Sequence, residues 1–321
     1  SFKKLLISEG FYYDRKMRRD YIISEGKILE AVEQAGVISV FINPDNGEKS
    51  FLVNELKIDE HTLSSALDPD EPSRMEFEPE HLALIFKRPR NYSAEDQLLF
   101  KVASIGAFLF KDRLVIVMTE DLPLFEGKQF TKVTTLNEVV LRLIYRSISH
   151  FLEHLKVINM LADEIEQKIS HAMENRLLLN MFTLEKSLVY YVNAINSNGA
   201  VLEKLKMNAG KIGFSAFELE LLDDITIENN QCLRQANIYA NILANLMDAR
   251  VSIVSNNLNI IMKTLTIITL LIMVPTFVVS LFSMNVPLPL NQESIISFWI
   301  IFAMCILAVV VVIAIWKYKK W

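Results

Sequence analysis

Two long uncharged segments near the end of this chain constrain its fold more than any other feature. Residues 264–282 are 19 residues without a charged side chain, and residues 295–316 are another 22. A helix needs about 20 mostly apolar residues to cross the hydrocarbon core of a bilayer. Each segment therefore predicts a membrane-spanning helix, and residues 283–294 between them predict a short loop that closes a helical hairpin.

The charges beside the hairpin indicate its orientation. Lys263 precedes the first segment, Lys317, Lys319 and Lys320 follow the second, and the loop contains no Lys or Arg. Lysine and arginine beside a span favour the cytoplasmic side of a membrane. We therefore expect a multi-pass protein of the cell (inner) membrane with both termini cytoplasmic, an external loop, and a basic tail at residues 317–321.

A line of polar residues follows the helix that enters the membrane. Its members recur in alternating steps of four and three, which keeps them on one face of a helix in a left-handed bundle. They are Asn241, Asn245, Asp248, Ser252, Ser255, Asn259, Met262, Thr266, Thr269, Met273, Thr276 and Ser280. Polar side chains can also bind neighbouring membrane helices, but that alternative predicts scattered positions. A continuous line favours a water-filled pore on the axis of a homo-oligomer.

The chemistry of this line indicates what would pass along it. It offers amide, hydroxyl and thioether groups and one carboxylate, Asp248, but no basic side chain, so anions are disfavoured. Hard cations prefer oxygen ligands, and Mg²⁺ gives up its water reluctantly, so it would pass with water retained. Rings of Met262 and Met273 would narrow the pore and gate it by dewetting, or would only fill a packed core.

The residues before the membrane divide by pattern into two parts. Residues 131–263 are rich in Glu, Lys and Leu at helical spacing and predict long antiparallel helices and a stalk. The predicted helices are 136–176, 177–206 and a stalk helix from 217 into the membrane, with a turn at 208–215. That stalk helix would be roughly 100 Å long at about 1.5 Å per residue.

Residues 1–130 predict a small α+β domain with a mixed sheet. Runs of β-branched and aromatic residues predict its strands, and clusters of Asn, Asp, Pro and Gly separate them. The predicted strands are 36–42, 75–77, 81–86, 100–110 and 113–118; the helices are 52–56 and 60–67; the turns are 43–47, 68–72 and 88–91.

Composition excludes several classes of function. The net charge is −5, which argues against a nucleic-acid partner. Cys232 and Cys305 form no CxxC motif and suit a reducing compartment. No nucleophile elbow or phosphate-binding loop is present, so we expect neither an enzyme nor an organic cofactor. His150 and His154 stand four apart but lack a third metal ligand, which favours surface or packing roles.

The loop after the first span begins Phe282-Ser283-Met284-Asn285-Val286-Pro287. It resembles the CorA family of Mg²⁺/Co²⁺ transport proteins, whose hallmark is Gly-Met-Asn at the outer end of the first of two C-terminal membrane helices. Residues 262–268 are also similar to the start of that helix in the family. The order of an α/β domain, long helices, a stalk, a membrane hairpin and a lysine-rich tail is similar to the family's as well. The resemblance implies a funnel-shaped homopentamer in lipid that takes up Mg²⁺, and also Co²⁺ and Ni²⁺, passively.

The family also implies roles for individual residues. The selectivity filter would be Ser283, Met284 and Asn285, with a ring of Asn285 binding hydrated Mg²⁺. By the same resemblance Asn259 would form a polar ring at the cytoplasmic end of the pore, with Met262, Leu265, Met273 and Thr276 lining it above. The polar line adds Asp248, Ser252, Ser255, Thr266, Thr269 and Ser280 to the residues expected along the pore and its gate.

This chain departs from the family at the filter, because Ser283 stands where the family has Gly. A side chain at that position disfavours backbone conformations that Gly reaches freely. The change motivates a rival function, a transporter of zinc or another transition metal on the same scaffold. A second rival is a nonconducting, membrane-anchored oligomeric sensor or scaffold.

A second departure concerns regulation by cytoplasmic Mg²⁺. Family members can bind it between a stalk acid and an acid of the neighbouring subunit. Asp224, beside Asp223, fits the stalk acid, but the partner position falls near Ser65, and the nearest acids are Asp68 and Asp70. Alternatively, Asp223 and Asp224 are solvated charges near a helix start, where acids favour the helix dipole.

Overall fold

The computed structural model describes residues 18–31, 36–92, 98–171, 175–284 and 295–319. The chain forms two compact units that divide between Met247 and Asp248.

The first unit contains a seven-stranded mixed sheet with the strand order β2-β1-β3-β7-β6-β5-β4. Only the β3–β7 pair is parallel among the described strands. The strands are β1 (Arg18–Ser24), β2 (Lys27–Glu30), β3 (Ile38–Ile42), β4 (Arg74–Phe77), β5 (His81–Pro89), β6 (Val102–Phe110) and β7 (Leu114–Met118).

Two short helices and a set of long ones accompany the sheet. The short helices are α1 (Asn46–Asn54) and α2 (Glu60–Leu67), and a 3-10 turn covers Lys128–Phe130. The long helices are α3 (Leu136–His171), α4 (Asn175–Met207) and α6 (Ala216–Phe282), with one turn of helix, α5 (Ala209–Ile212), before α6; α7 (Ile295–Tyr318) ends the described chain.

The central strands of the sheet are buried on both faces, so most of their residues are apolar. Along β5, Leu84 and Phe86 pack into a core with α3, α4 and the start of α6, whereas Ala83 and Ile85 pack into a smaller core with α1 and α2. This alternation follows from the two-residue period of a strand. The first unit is therefore a layered structure in which the sheet lies between short and long helices.

Side-chain bonds fix the sheet to α4. Asn198, which is buried, accepts from the backbone N–H of Lys87 at 2.7 Å and donates to the Lys87 carbonyl at 2.7 Å. Ser73 Oγ also donates to Asn198 Oδ1 at 2.8 Å. One amide thus satisfies backbone groups of β5 that the helix would otherwise leave buried without partners.

The start of the chain and the first short helix differ from the predictions. Arg18 and Arg19 begin β1, where they contact Asp20 and Asp121; their charges obscured a strand. The predicted turn at 43–47 overlaps the start of α1. Asp45 there forms a capping box with Glu48, which converts a turn-like sequence into a helix start.

The second unit contains the last part of α6 and α7. α6 and α7 each contain a stretch long and apolar enough to cross a membrane, by length and composition, and neither stretch has a buried residue. The predicted fold class, a mixed sheet with long helices and two apolar C-terminal helices, is confirmed. The funnel-shaped pentamer and the segment boundaries stay predictions.

Candidate functional site

The polar line lies along one side of α6. All twelve of its members, from Asn241 to Ser280, are exposed. The less exposed positions of the apolar stretch lie on the other side of the helix; they include Ile267, Leu271, Val274 and Val278. The chain itself therefore leaves the whole line open to whatever surrounds it.

Hydrogen bonds within α6 decide which atoms the threonines present. Thr266 Oγ1 donates to the Met262 carbonyl at 2.8 Å, and Thr276 Oγ1 donates to the Ile272 carbonyl at 2.7 Å. Thr269 makes the same bond one turn back along the helix, at 2.9 Å. Each hydroxyl proton is thus occupied, and what remains available is oxygen lone pairs. A surface of acceptors favours cations and the protons of their bound water.

The predicted constrictions, Met262 and Met273, and the predicted pore-lining residue Leu265 are large exposed side chains on the same helix. Met262 is 61% exposed, Met273 is 63% exposed and Leu265 is 57% exposed. Nothing within the described chain packs them, so they are available to a partner or to a pore. Whether they form rings depends on assembly and stays a prediction.

A hydrogen bond joins α7 to α6 beside a proline. The Sγ atom of Cys305 lies 3.8 Å from the Pro275 carbonyl oxygen, with the thiol as donor. Pro275 has no N–H and cannot complete the α-helical ladder at its position. The carbonyl left without its α-helical donor is that of Leu271, one turn earlier, so the thiol contact with the Pro275 carbonyl does not replace the missing bond.

The first two residues of the predicted filter end the described part of the first span. Ser283 Oγ donates to the Ser280 carbonyl at 2.9 Å and its N–H reaches the Val279 carbonyl at 3.1 Å. Its φ is not positive, unlike that of five other described non-glycine residues. Ser283 thus terminates the helix with its side chain. Met284 is exposed, and Asn285 lies outside the described residues.

The two stalk acids differ in their surroundings. Asp223 Oδ1 is 2.7 Å from Lys206 Nζ, so its charge is paired within the chain. Asp224 is exposed on α6 and has no polar partner in the described part of the chain. Only Asp224 is thus available to a ligand or a neighbouring chain.

The position of the expected partner acid, Ser65, differs from the acids that follow it. Ser65 is buried, where it accepts from Arg74 Nη2 at 3.1 Å and contacts His61 Nδ1 at 3.1 Å. It therefore cannot present an oxygen outward. Asp68 and Asp70 are exposed on the segment after α2, and Asp68 Oδ1 accepts the Asp70 N–H at 2.9 Å.

A buried lysine holds this acidic segment. Lys87 Nζ donates to the carbonyls of Asp68 and Pro69 at 3.2 and 2.9 Å and to Ser104 Oγ at 2.6 Å. Burial lowers the pKa of Lys87 to about 8, although the charges of Asp68 and Asp70 oppose the shift. Sequence reasoning missed this residue, because a lysine in an apolar strand gives no sign of which carbonyls it reaches.

The structure does not bring the predicted acids together into a metal centre within one chain. Among the described residues, no group of three or more His, Cys, Asp or Glu side chains could hold a metal ion. A site at Asp224 would therefore need ligands from another subunit.

Comparisons with known proteins agree with this architecture. Residues 34–319 match the model of the family described as CorA-like Mg²⁺ transporter protein. The chain is 24% identical over 295 residues to the Cobalt/magnesium transport protein CorA of Methanocaldococcus jannaschii, covering 87% of this chain and 89% of that protein.

Solved structures show the same fold. The complete CorA magnesium transporter from Methanocaldococcus jannaschii superposes with a TM-score of 0.76 at 20% identity, over 94% of this chain and 96% of the other. The full-length CmaX protein gives a TM-score of 0.72 at 15% identity, over 95% and 98%. With a family match that spans most of its length, the chain belongs to the CorA-like Mg²⁺ transporter family.

Proposed function

We propose that this chain is the subunit of a passive divalent cation channel that carries Mg²⁺, and also Co²⁺ and Ni²⁺, into the cell. The observation that carries the proposal is the polar line, exposed along α6 from Asn241 to Ser280 through a stretch apolar enough to cross a membrane. The relative from Methanocaldococcus jannaschii, named for cobalt and magnesium transport, supports the choice of ions.

The line suits a cation that keeps its water. Asp248 is its one charged member, and the Thr266, Thr269 and Thr276 hydroxyls present lone pairs because their protons are bound within the helix. A hydrated Mg²⁺ presents water protons outward, which such acceptors bind. Passage would be driven by the membrane potential, at about 2.3 kcal/mol per charge per 100 mV.

The proposed assembly is a homopentamer with the polar lines facing the axis. One helix cannot enclose a pore, and a closed ring of identical subunits satisfies every copy of the line equally. At its outer mouth Ser283, Met284 and Asn285 would form the selectivity filter, with Asn285 as the amide ring. Met262, Leu265 and Met273 would form the narrow part, and Ser252, Ser255 and Asn259 the cytoplasmic part.

We further propose that Asp224 binds regulatory Mg²⁺ together with Asp68 or Asp70 of a neighbouring subunit. Asp224 is the better candidate of the stalk pair, because Asp223 is already bound by Lys206. In liposomes, Asp224→Asn should lower the inhibition of flux by internal Mg²⁺ about tenfold, whereas Asp223→Asn is the matched control. Equal effects of the two changes would contradict the assignment.

Transport is tested with the purified chain in liposomes that contain a Mg²⁺-sensitive dye. Uptake well above that of protein-free vesicles is expected, and its absence would overturn the proposal in favour of a nonconducting scaffold. Asn285→Ala should abolish selectivity or flux, whereas Asn291→Ala, in the same loop, should not. Competition by Zn²⁺ stronger than that by Co²⁺ would identify a zinc transporter instead.

A further inference from the structure

A cavity in the first unit is unrelated to the proposed ion path. It has a volume of about 410 Å³ and lies between the end of β5, residues 122–129 and one side of α3. This volume is within the usual range for sites that bind small molecules. Arg88, Asn91, Arg146, Ser149 and His150 are among its polar lining residues.

Arg146 presents one free edge of its guanidinium group at this cavity. Its Nη1 atom donates to the carbonyls of Leu124 and Glu126 at 2.7 and 2.8 Å, which fixes the side chain in place. Within the described chain, Nε and Nη2 have no hydrogen-bond partner, and neither atom is sealed from solvent. These two N–H groups form the parallel fork that binds a carboxylate or phosphate through two hydrogen bonds.

Arg88 supplies a second, buried positive charge. Its Nη2 lies 2.5 Å from Glu120 Oε2 and its Nη1 donates to the Pro89 carbonyl at 2.9 Å. Glu120 also binds Arg90, so one carboxylate is shared by two guanidinium groups. The trio therefore keeps one net positive charge beside the cavity.

His150 is a half-buried imidazole in the lining of the cavity. Its ring makes no hydrogen bond to the described residues, and it touches the ring of His154 edge to face at 4.4 Å between centroids. Burial, followed by the charges of Arg88 and Arg146, lowers the pKa of His150 to about 4. The charges of Arg88 and Arg146, which add to the effect of burial at this ring, attract an anion.

Two carboxylates lie at the rim of the cavity. Glu126 and Glu153 line it, and both are exposed to solvent. They raise the pKa of Arg146 against the effect of its burial, and Glu153 acts in the same sense on His154. Exposed charges are screened by water and salt, so they weaken the positive field at the mouth more than at His150.

We propose that this cavity binds a small anion with a carboxylate or phosphate group, held by the free edge of Arg146 and the imidazole of His150. Arg88 contributes a second positive charge while it keeps its ion pair with Glu120. The neutral imidazole donates one hydrogen bond to the anion, and binding favours a second proton on the ring because the anion offsets both guanidinium charges. The inference does not depend on the proposed transport function.

The test uses the full-length protein in nanodiscs and sulfate as the probe. Sulfate keeps two negative charges at every pH of the experiment, so any proton taken up belongs to the protein. Calorimetry at pH 5.5 in buffers of different ionisation enthalpy should show saturable binding with uptake of a fraction of a proton. Succinate, titrated separately, distinguishes a preference for carboxylates from one for tetrahedral oxyanions.

Two variants and one control decide the outcome. Arg146→Gln should weaken sulfate binding about tenfold or more, because it removes two charge-assisted hydrogen bonds, whereas Arg113→Gln, an exposed arginine beside β7, should not. His150→Gln should abolish proton uptake, which keeps the test decisive if Arg146→Gln does not fold. The proposal is wrong if no saturable binding occurs, if Arg113→Gln weakens it equally, or if His150→Gln retains the uptake.

Discussion

The two units of the chain differ in where their side chains find partners. In the first unit Phe86, Phe108 and Tyr191 are fully buried, and sheet and helices close a core within one chain. In the described part of the second unit no side chain is buried, and both apolar and polar faces of α6 stay exposed. The first unit therefore closes its core within one chain, whereas the described part of the second unit leaves both kinds of face uncovered, as the proposed assembly in a membrane would require.

The largest expected effect is on the free energy of unfolding, when the same Phe→Ala substitution is made in the core of the first unit and on the exposed part of α6. Phe86 is 0% exposed and Phe277 is 65% exposed. Phe86→Ala should cost about 3–5 kcal/mol of unfolding free energy through lost burial and a cavity, whereas Phe277→Ala should cost under about 1 kcal/mol. Denaturant unfolding of the detergent-solubilised protein measures both, and similar losses would contradict the comparison.

The second prediction tests the polar line itself. The double change Thr269→Val and Thr276→Val preserves shape but removes two rows of acceptor oxygens, so Mg²⁺ flux should fall about tenfold. Thr264→Val is the matched control, because Thr264 makes the same backbone bond, to the Ile260 carbonyl at 2.9 Å, on the opposite side of α6. If Thr264→Val lowers Mg²⁺ flux in liposomes as much as the double change does, the threonines stabilise the helix and do not line an ion path.

The third prediction concerns acid stability of the first unit. The folded pKa of His150, about 4, lies below its ordinary value of 6.5, so between these values the unfolded chain binds more protons. Stability is therefore complete above pH 6.5 and is lost as the pH falls towards 4. After allowance for solvent screening the loss is on the order of 1–2 kcal/mol.

This loss is measured as the unfolding free energy against pH in chloride buffer. His150→Gln should reduce the slope between pH 6.5 and 4 but not remove it, because burial also lowers the pKa of the adjacent His154 to about 4. His61→Gln, which removes an exposed imidazole, is the control. An unchanged slope in His150→Gln would show that other groups cause the acid sensitivity.

The smallest expected effect is at the end of the first span. Ser283→Ala removes the bond from Oγ to the Ser280 carbonyl but keeps the Cβ atom, which should cost about 1 kcal/mol of local stability. Hydrogen exchange at the end of α6 should rise by about fivefold, with flux changed less than in the threonine pair. A larger change in flux than in exchange would show that the Ser283 hydroxyl itself, and not only its backbone in the proposed filter, acts on the ion.

Sequence predicted β5 to β7 because burial on both sheet faces leaves apolar runs, and it predicted the long helices because Glu, Lys and Leu recur in them at helical spacing. β1 follows neither rule, since Arg18, Arg19 and Asp20 form ion pairs that composition cannot foresee. The Asp68–Asp70 segment was predicted as a turn, but its anchor, Lys87, is 19 residues from Asp68 in sequence. The spacing of residues in the sequence predicts which side chains share one face of a helix, but it does not predict contacts between separate elements such as that of Lys87 with the Asp68 carbonyl.

The two cysteines give the chain a practical property for chemical labelling. Burial raises the pKa of Cys232 to about 12, so almost none of it is thiolate at neutral pH, and it is enclosed in the core. Cys305 can be replaced by Ser, whose hydroxyl can donate to the Pro275 carbonyl as the thiol does. With that one replacement, reactive cysteines introduced singly along α6 would report their own accessibility to water-soluble reagents against a nearly silent background.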